Sequence, residues 1–236
     1  MAGDPLGSTM NGRRLPLSPW MPPPTHCALI LGQAELWRFR LDLEDVAIVG
    51  LKRLLNGAEL QRAARLRDPR KGDQFVVARS RLRQILACYL ETDPQELEFK
   101  YNPHGKPFVA QASAAHLEFN LAHAGCWGAL LVCGSGAVGV DLETLDRTLE
   151  ADKVVAHYFS DAERSAWQHY PRTRQTRGFF RLWTRKEALL KAAGGGFAVP
   201  LPAGSWQLRS FALGRGYLGA MALPAGVVRI QRWHLA

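Results

Sequence analysis

The chain has 236 residues, 47% hydrophobic and 22% charged, which is enough apolar content for a core and too much for a disordered polar segment. With 30 Lys+Arg against 21 Asp+Glu the net charge is +9, which attracts polyanions without choosing among nucleic acid, an anionic membrane, coenzyme A and an acidic protein. Cys27, Cys88, Cys126 and Cys133 have no metal-ligand or redox spacing, and no apolar run approaches the ~20 residues of a membrane span, so a soluble chain without disulfides in a reducing cytoplasm is expected.

Residues 1–25, rich in Pro, Gly and Ser and ending in Pro22-Pro23-Pro24, predict an irregular leader. From Cys27 to Val49, CALIL, a Gly-Gln break and LWRFRLDL predict a hairpin or a pair of strands, followed by a first helical region. The Arg-rich run 56–89 is broken near Pro69 and Gly72. In its second part Phe75, Ala78, Leu82, Ile85, Leu86 and Tyr89 recur at helical spacing, with Arg79, Arg81 and Arg83 on the opposite face. A turn at Asp93-Pro94 leads to a short strand LEFK and to the loop YNPHGKP, whose Pro and Gly residues fix a tight, exposed conformation. HLEFNLAH, WGALLVC and AVGVDLE then predict three strands of one antiparallel sheet.

In the second half, residues 149–158 are helical, and FSDAERSAWQHY places Ser160 three residues before Glu163, the spacing of a capping box. Residues 178–193 predict a helix ended by Gly194-Gly195-Gly196. Three β-like runs, SWQLRSFAL, GYLGAMAL and VVRIQRW, close the chain. Helices with a small antiparallel sheet in each half predict an α+β protein. Its parts are the leader, 1–25, an N-terminal lobe, 26–137, and a similar C-terminal lobe, 138–236, the similarity resting on element order rather than on a sequence repeat.

Strand alternation along GVDLE turns Val138, Val140 and Leu142 to one face and Asp141 and Glu143 to the other. Adjacent carboxylates repel unless a cation lies between them, and hard oxygen donors suit Mg²⁺. The same pair is also what a solvated strand face carries. In FFRLWTRKEALLKAAGGG, Trp183, Glu187 and Lys191 fall four apart on one stripe. Glu187 and Lys191 alone would be an ordinary surface ion pair worth ~0.3–0.5 kcal/mol. A tryptophan above them and three glycines below are poor choices for a helix that is only solvated. Lys106 in GKP and His123 at the end of FNLAH put cationic groups on connections, where phosphate ligands commonly sit, although a lone histidine after a strand is more often structural. GKP lacks the rest of a Walker A pattern, so no P-loop is inferred.

Taken in order, GKP at 105–107, FNLAH at 119–123, GVDLE at 139–143, FSxxE from Phe159 and WTRKEALLKA ending at Ala192 resemble the Sfp-type 4′-phosphopantetheinyl transferases. The resemblance covers roughly residues 36–193. It implies that family's pseudo-twofold fold of two α+β lobes, with the coenzyme on the N-terminal side and the metal and catalytic helix on the C-terminal side. It also implies transfer of 4′-phosphopantetheine from coenzyme A to a serine of an acyl or peptidyl carrier protein, with Mg²⁺, releasing adenosine 3′,5′-bisphosphate. By resemblance Asp141, Glu143 and Glu187 hold Mg²⁺, and Lys106, His123 and Lys191 contact coenzyme A phosphates. One of Arg62, Arg65 and Arg70 meets the 3′-phosphate, and Glu163 stands behind the metal ligands. Glu187, directly or through a water it orients on the metal, is the expected base, with His123 the alternative; Lys191 offsets leaving-group charge. The expected partners are coenzyme A and an acidic carrier, served by a cytoplasmic monomer without nucleic-acid or membrane partners.

The family's NLSHS is Asn120-Leu121-Ala122-His123-Ala124 here, so both hydroxyls are missing. Each hydroxyl–phosphate bond is worth ~1–3 kcal/mol, so coenzyme binding weakens while activity survives. The segment RLRDPRKGDQF matches the family only loosely. Two other classes compete: a Mg²⁺-dependent nucleotide or pyrophosphate hydrolase using the same acids, and a nucleic-acid-binding module built on the Arg-rich helices. The module lacks a recognised binding motif and interleaved surface aromatics.

Overall fold

Local chemistry sets most element boundaries. Asn56 and Glu59 form a capping box at one helix start, Ser160 and Glu163 form another, and Asp68 caps a helix whose first residue is Pro69. Gly194, at φ +73°, ends the helix before it in the left-handed region that glycine adopts freely. The computed structural model describes residues 16–111, 114, 116–146, 150–195 and 206–236. Along these the chain runs β1 (Leu17–Met21), β2 (Gln33–Arg40), α1 (Asp45–Lys52), α2 (Gly57–Ala64), α3 (Pro69–Leu90), β3 (Phe99–Tyr101), β4 (Pro107–Val109), β5 (Glu118–Ala124), β6 (Trp127–Cys133), β7 (Gly139–Thr144), α4 (Ala151–Tyr158), α5 (Asp161–Gln168), α6 (Gln175–Ala193), β8 (Trp206–Phe211), β9 (Tyr217–Pro224) and β10 (Arg229–Leu235).

The architecture is α+β, with two sheets face to face and helices outside them. A five-stranded sheet has the order β1-β10-β2-β6-β5, and a three-stranded antiparallel sheet has the order β7-β9-β8. One apolar cluster fills the space between the larger sheet and α1–α3, around Phe39, Leu82, Leu86 and Leu130. A second lies between the sheets, where Leu36, Leu131 and Ala129 meet Val138, Val140, Leu142 and Met221. The far face of the smaller sheet packs on α6 through Ala188, Leu189, Ala192, Ala220 and Ala222.

The alternation expected for β7 holds: Val140 and Leu142 enter the intersheet core, and Asp141 turns towards α6. Several other expectations change. The leader is not irregular throughout, because β1 pairs in parallel with β10. The first sheet is therefore mixed: β10 lies parallel to both β1 and β2, while β2, β6 and β5 pair antiparallel. By sequence β10 belongs to the second half; by hydrogen bonding it belongs to the first sheet. CALIL is not a strand, and β7 pairs with β9 rather than with β6. Pro69 starts α3 instead of interrupting it, and the helix continues through Gly72. Leu149 and Gly196, at the edges of expected elements, lie outside the described residues.

Two departures concern chemistry. Arg79 and Arg83 are inside the protein, where Glu59 pairs with both. Arg83 Nε donates to Glu59 at 3.0 Å and its Nη1 to the carbonyls of Pro94 and Leu97, so the charge is met on several sides. Cys27 and Cys88 form a disulfide across a separation of 61 residues, with Cα atoms 5.5 Å apart. Such a pairing leaves no local spacing in the sequence, which is why none was expected.

At Gly139 an added Cβ would lie 1.9 Å from the Ala188 carbonyl oxygen and 2.5 Å from Ala192 N, both helix backbone. Helix α6 rests directly on this point of β7, and no flexible side chain can yield. Gly139→Ala is expected to destabilise the fold by at least ~2 kcal/mol through overpacking, read as a lower urea midpoint. An unchanged midpoint would mean that α6 can withdraw from β7. Thiol titration of denatured, unreduced protein should count only Cys126 and Cys133. Counting all 4 cysteines before reduction would remove the Cys27–Cys88 bond.

Candidate active site

With α6 held against Gly139, its stripe at Glu187 and Lys191 falls over Asp141. Lys191 Nζ donates to Asp141 Oδ1 at 2.6 Å, and Asp141 is 6% exposed. The second carboxylate oxygen of Asp141, Oδ2, is buried with no hydrogen-bond partner. Burial pushes the Asp141 carboxyl above its usual range, against the pull of Lys191. Burial likewise raises Glu187; Lys191 opposes the shift, and the negative charges of Asp141 and Glu143 add to it. A cavity of about 230 Å³ opens beside these three carboxylates, walled by Val154, Phe179 and Trp183.

A second cavity, of about 300 Å³, lies on the other side of Glu187 and is lined by His104, Lys106, Asn120, Glu187 and Lys191. The β3–β4 loop closes it by docking on the C-terminal end of α6. Asn102 Oδ1 accepts from His104 N and Lys106 N, which folds the loop, while its Nδ2 donates to the Gly194 carbonyl at 2.8 Å. Lys106 Nζ donates to the carbonyls of Val138 at 3.1 Å and Ala192 at 3.4 Å. A cation there meets both the unpaired carbonyls and the negative end of the helix dipole. Desolvation lowers the Lys106 pKa, with Glu118 pulling the other way.

His123 is exposed at the end of β5. Crowding by surrounding atoms, then the charge of Lys191, lower its pKa, so the neutral ring is favoured. Arg62, Arg65 and Arg70 are exposed around the end of α2 and the start of α3, and none lines either cavity. The structure thus brings together Asp141, Glu143, Glu187 and Lys191, sets Lys106 across the second cavity, and leaves the three arginines apart. Glu163, 4% exposed at its side chain, accepts from Lys186 Nζ at 2.8 Å and from Ser160 N at 2.7 Å, which pins α5 to α6 one residue before Glu187.

Three positions passed unnoticed in the sequence. Asn102 and Asn120 are supporting amides, and the only hint was an Asn before a Pro-Gly loop and an Asn inside a strand. Lys186 lies in WTRKEALLK with nothing local to announce Glu163 as its partner. Surface aromatics also interleave with arginines, contrary to expectation. Arg38 stacks over Trp20 and Trp127, Arg40 over Trp127, and Arg232 over Trp20. These residues come from four strands of the larger sheet, so no linear motif announces them.

Among the described residues no group of three or more His, Cys, Asp or Glu side chains stands in a metal-holding arrangement. The donor chemistry nonetheless fits a hard divalent cation. An orphaned carboxylate oxygen on Asp141 and a Glu187 carboxylate destabilised by two neighbouring acids are what such an ion would relieve.

A family model described as the 4′-phosphopantetheinyl transferase superfamily matches residues 137–233. The chain is 34% identical to the 4′-phosphopantetheinyl transferase HetI of Nostoc sp. across 76% of either protein. It is 32% identical to a putative 4′-phosphopantetheinyl transferase of Synechocystis sp., over 72% of this chain and 68% of that one. Against the 4′-phosphopantetheinyl transferase Sfp of Bacillus subtilis the identity is 31% over 54% of each.

The raised Glu187 value carries a sign. Stability tied to this group is present below its unfolded value near 4.5 and is lost as pH rises through the higher folded value. Glu187→Gln is therefore expected to melt at a higher temperature than the parent near neutral pH in chelator. The gap should close in acid, and a variant less stable than the parent near neutrality would contradict it.

Proposed function

This chain belongs to the 4′-phosphopantetheinyl transferase superfamily, and from that premise we propose that it moves the 4′-phosphopantetheine group of coenzyme A onto a serine hydroxyl of an acyl or peptidyl carrier protein, releasing adenosine 3′,5′-bisphosphate. The observation that carries the reading is Glu187, shared between a cavity walled by carboxylates and a cavity faced by Lys106 and Lys191. One side suits polyphosphate, and the other suits a cation and an incoming neutral nucleophile.

Phosphoryl transfer depends chiefly on positioning and on neutralising charge. In this reading Asp141, Glu143 and Glu187 hold Mg²⁺, which when bound neutralises charge on the pyrophosphate. Lys191, held over Asp141, offers its ammonium to the same phosphates and to the leaving bisphosphate. Lys106 faces the nucleotide side from its seat on the Val138 and Ala192 carbonyls, and exposed His123 adds a donor. The serine proton passes to Glu187, directly or through a water that it orients. Ala122 and Ala124 leave phosphate binding to these cations and to the amide groups of β5 and the β3–β4 loop. One of Arg62, Arg65 and Arg70 remains our choice for the 3′-phosphate.

The carrier is expected to be acidic, as the +9 charge of the chain would favour. A monomer suffices, because all of these residues come from one chain. No helix among the described residues is long and apolar enough to cross a membrane. A cytoplasmic site is proposed from the substrate pool, and the Cys27–Cys88 disulfide is the feature that weighs against it.

Incubation of the purified protein with Mg²⁺, coenzyme A and a panel of acyl and peptidyl apo-carriers should add one phosphopantetheine mass to at least one carrier. Asp141→Ala or Glu187→Gln should abolish the gain. Unmodified carriers throughout the panel would overturn the assignment. Coenzyme A consumed without a carrier would instead indicate a hydrolase.

A further inference from the structure

On β2, Arg38 and Arg40 follow Ala34 and Leu36 at two-residue spacing, on the face that looks towards the smaller sheet. Arg38 lies 4.4 Å from the Trp20 ring and 5.3 Å from that of Trp127. Arg40 is 5.0 Å from Trp127, and Arg232 is 4.7 Å from Trp20. Guanidinium groups and indoles therefore alternate in one half-buried row: Arg232, Trp20, Arg38, Trp127, Arg40. Arg40 is ion-paired with Asp42. Arg38 and Arg232 have no carboxylate partner among the described residues; their bonds go to neutral acceptors. Arg38 donates to His234 Nδ1 at 3.1 Å and to the Leu213 carbonyl at 3.2 Å, and Arg232 Nε donates to the Ser18 carbonyl. Burial lowers the pKa of both arginines, and the charge of Arg38 lowers that of Arg232 further. Two like charges thus lie close together with nothing negative between them.

The row begins beside the carboxylate cavity. Strands β5 and β7 run side by side in the same direction, since Val140 N donates to Asn120 Oδ1 and a Cβ on Gly125 would come within 3.2 Å of Thr144 Cγ2. Cys126 N donates to the hydroxyl of Tyr217, the strand partner of Thr144. Glu143 stands one residue before Thr144, and Trp127 follows Cys126 directly. A partner covering about 800 Å² of this chain, an ordinary protein–protein footprint, spans both the cavity mouth and the row.

Resting on the reading that the chain serves an acidic carrier protein, we propose that this row of arginines and tryptophans is the surface on which the carrier's carboxylates dock. A guanidinium laid on an indole keeps its N–H edge for a carboxylate, which it meets with two parallel bonds. Beyond the bonds already named, both Arg38 and Arg232 have N–H groups left to give. Nucleic acid fits less well. Each indole already has two guanidinium groups over it, and Trp127 also meets the His234 ring, whereas bases stack on open aromatic faces.

The double variant Arg38→Gln, Arg232→Gln tests the surface, with the apo-carrier that the parent loads best. The KM for the carrier is expected to rise about 5- to 30-fold, and the loss of kcat/KM on adding NaCl should become shallower. The KM for coenzyme A and kcat should stay at parental values, which a general disturbance of the fold would not allow. A parental KM for the carrier would overturn the proposal. If the variant does not fold, the parent decides. Saturating apo-carrier should shield Arg38 and Arg232 from phenylglyoxal, read by peptide mass mapping, and coenzyme A alone should not. Equal labelling with and without carrier would overturn the docking surface, as would shielding by a single-stranded oligonucleotide but not by the carrier. Carriers loaded with these arginines unshielded would remove this surface and leave the transferase reading, whereas a panel in which none is loaded would remove both.

Discussion

Helix α6 can lie where it does only because residue 139 has no side chain. Its backbone at Ala188 and Ala192 occupies the space that a Cβ would need, and this contact sets the height of the helix above β7. From that height the rest follows: Lys191 reaches Asp141 at 2.6 Å, and Glu187, one turn away, is forced into the field of two other acids. A Gly in a strand interior costs conformational entropy and offers no packing. Here it marks the close approach of one backbone to another. The first letter of GVDLE thus does as much for the site as its two acids.

The other end of α6 is held by parts from the opposite half of the chain. Asn102 and Lys106 meet the carbonyls of Gly194 and Ala192, and the β3–β4 hairpin that carries them is braced from within. Arg79 stacks 4.1 Å from the Phe99 ring and donates to the Tyr101 hydroxyl, while Arg83 supports the carbonyls just before β3. Glu59, at the start of α2, satisfies both guanidinium groups. Buried charges of this kind are tolerable only when every one is met, and removing a single partner strands the others. A run of connected polar contacts therefore links the inside of the N-terminal half to the end of α6.

What the sequence disclosed tracks the range of the interactions involved. The Ser160–Glu163 capping box, the glycine stop after Ala193 and the two-residue alternation of β7 act within a few residues and were legible. The stripe at Glu187 and Lys191 was legible for the same reason. Long-range pairings were not: β10 joins the sheet of β2 although nearly the whole chain separates them, and Cys27 bonds to Cys88 with no spacing to announce it. Arg79 and Arg83 misled because a charged residue on a helix reads as solvated, and only the buried Glu59, on another helix 20 and 24 residues earlier, reverses that reading. Asn102 and Asn120 were invisible because an amide's worth depends wholly on which N–H or carbonyl lies opposite it.

The two halves of the molecule treat buried charge in opposite ways, and the contrast bears on function. Around Glu59 both guanidinium groups are ion-paired with the carboxylate, although Arg83 Nη2 makes no hydrogen bond, and the arrangement serves stability. Around Asp141 the balance is incomplete: an oxygen is left without a donor, and burial holds two carboxyls above their usual range against the pull of Lys191. Folding alone would favour replacing such groups, since an apolar or neutral residue would remove the desolvation cost. Their presence in a strand and helix that are otherwise closely packed is best understood as strain retained for a ligand of opposite charge. The site is therefore least satisfied at Asp141 and Glu187, where the proposed cation would be held.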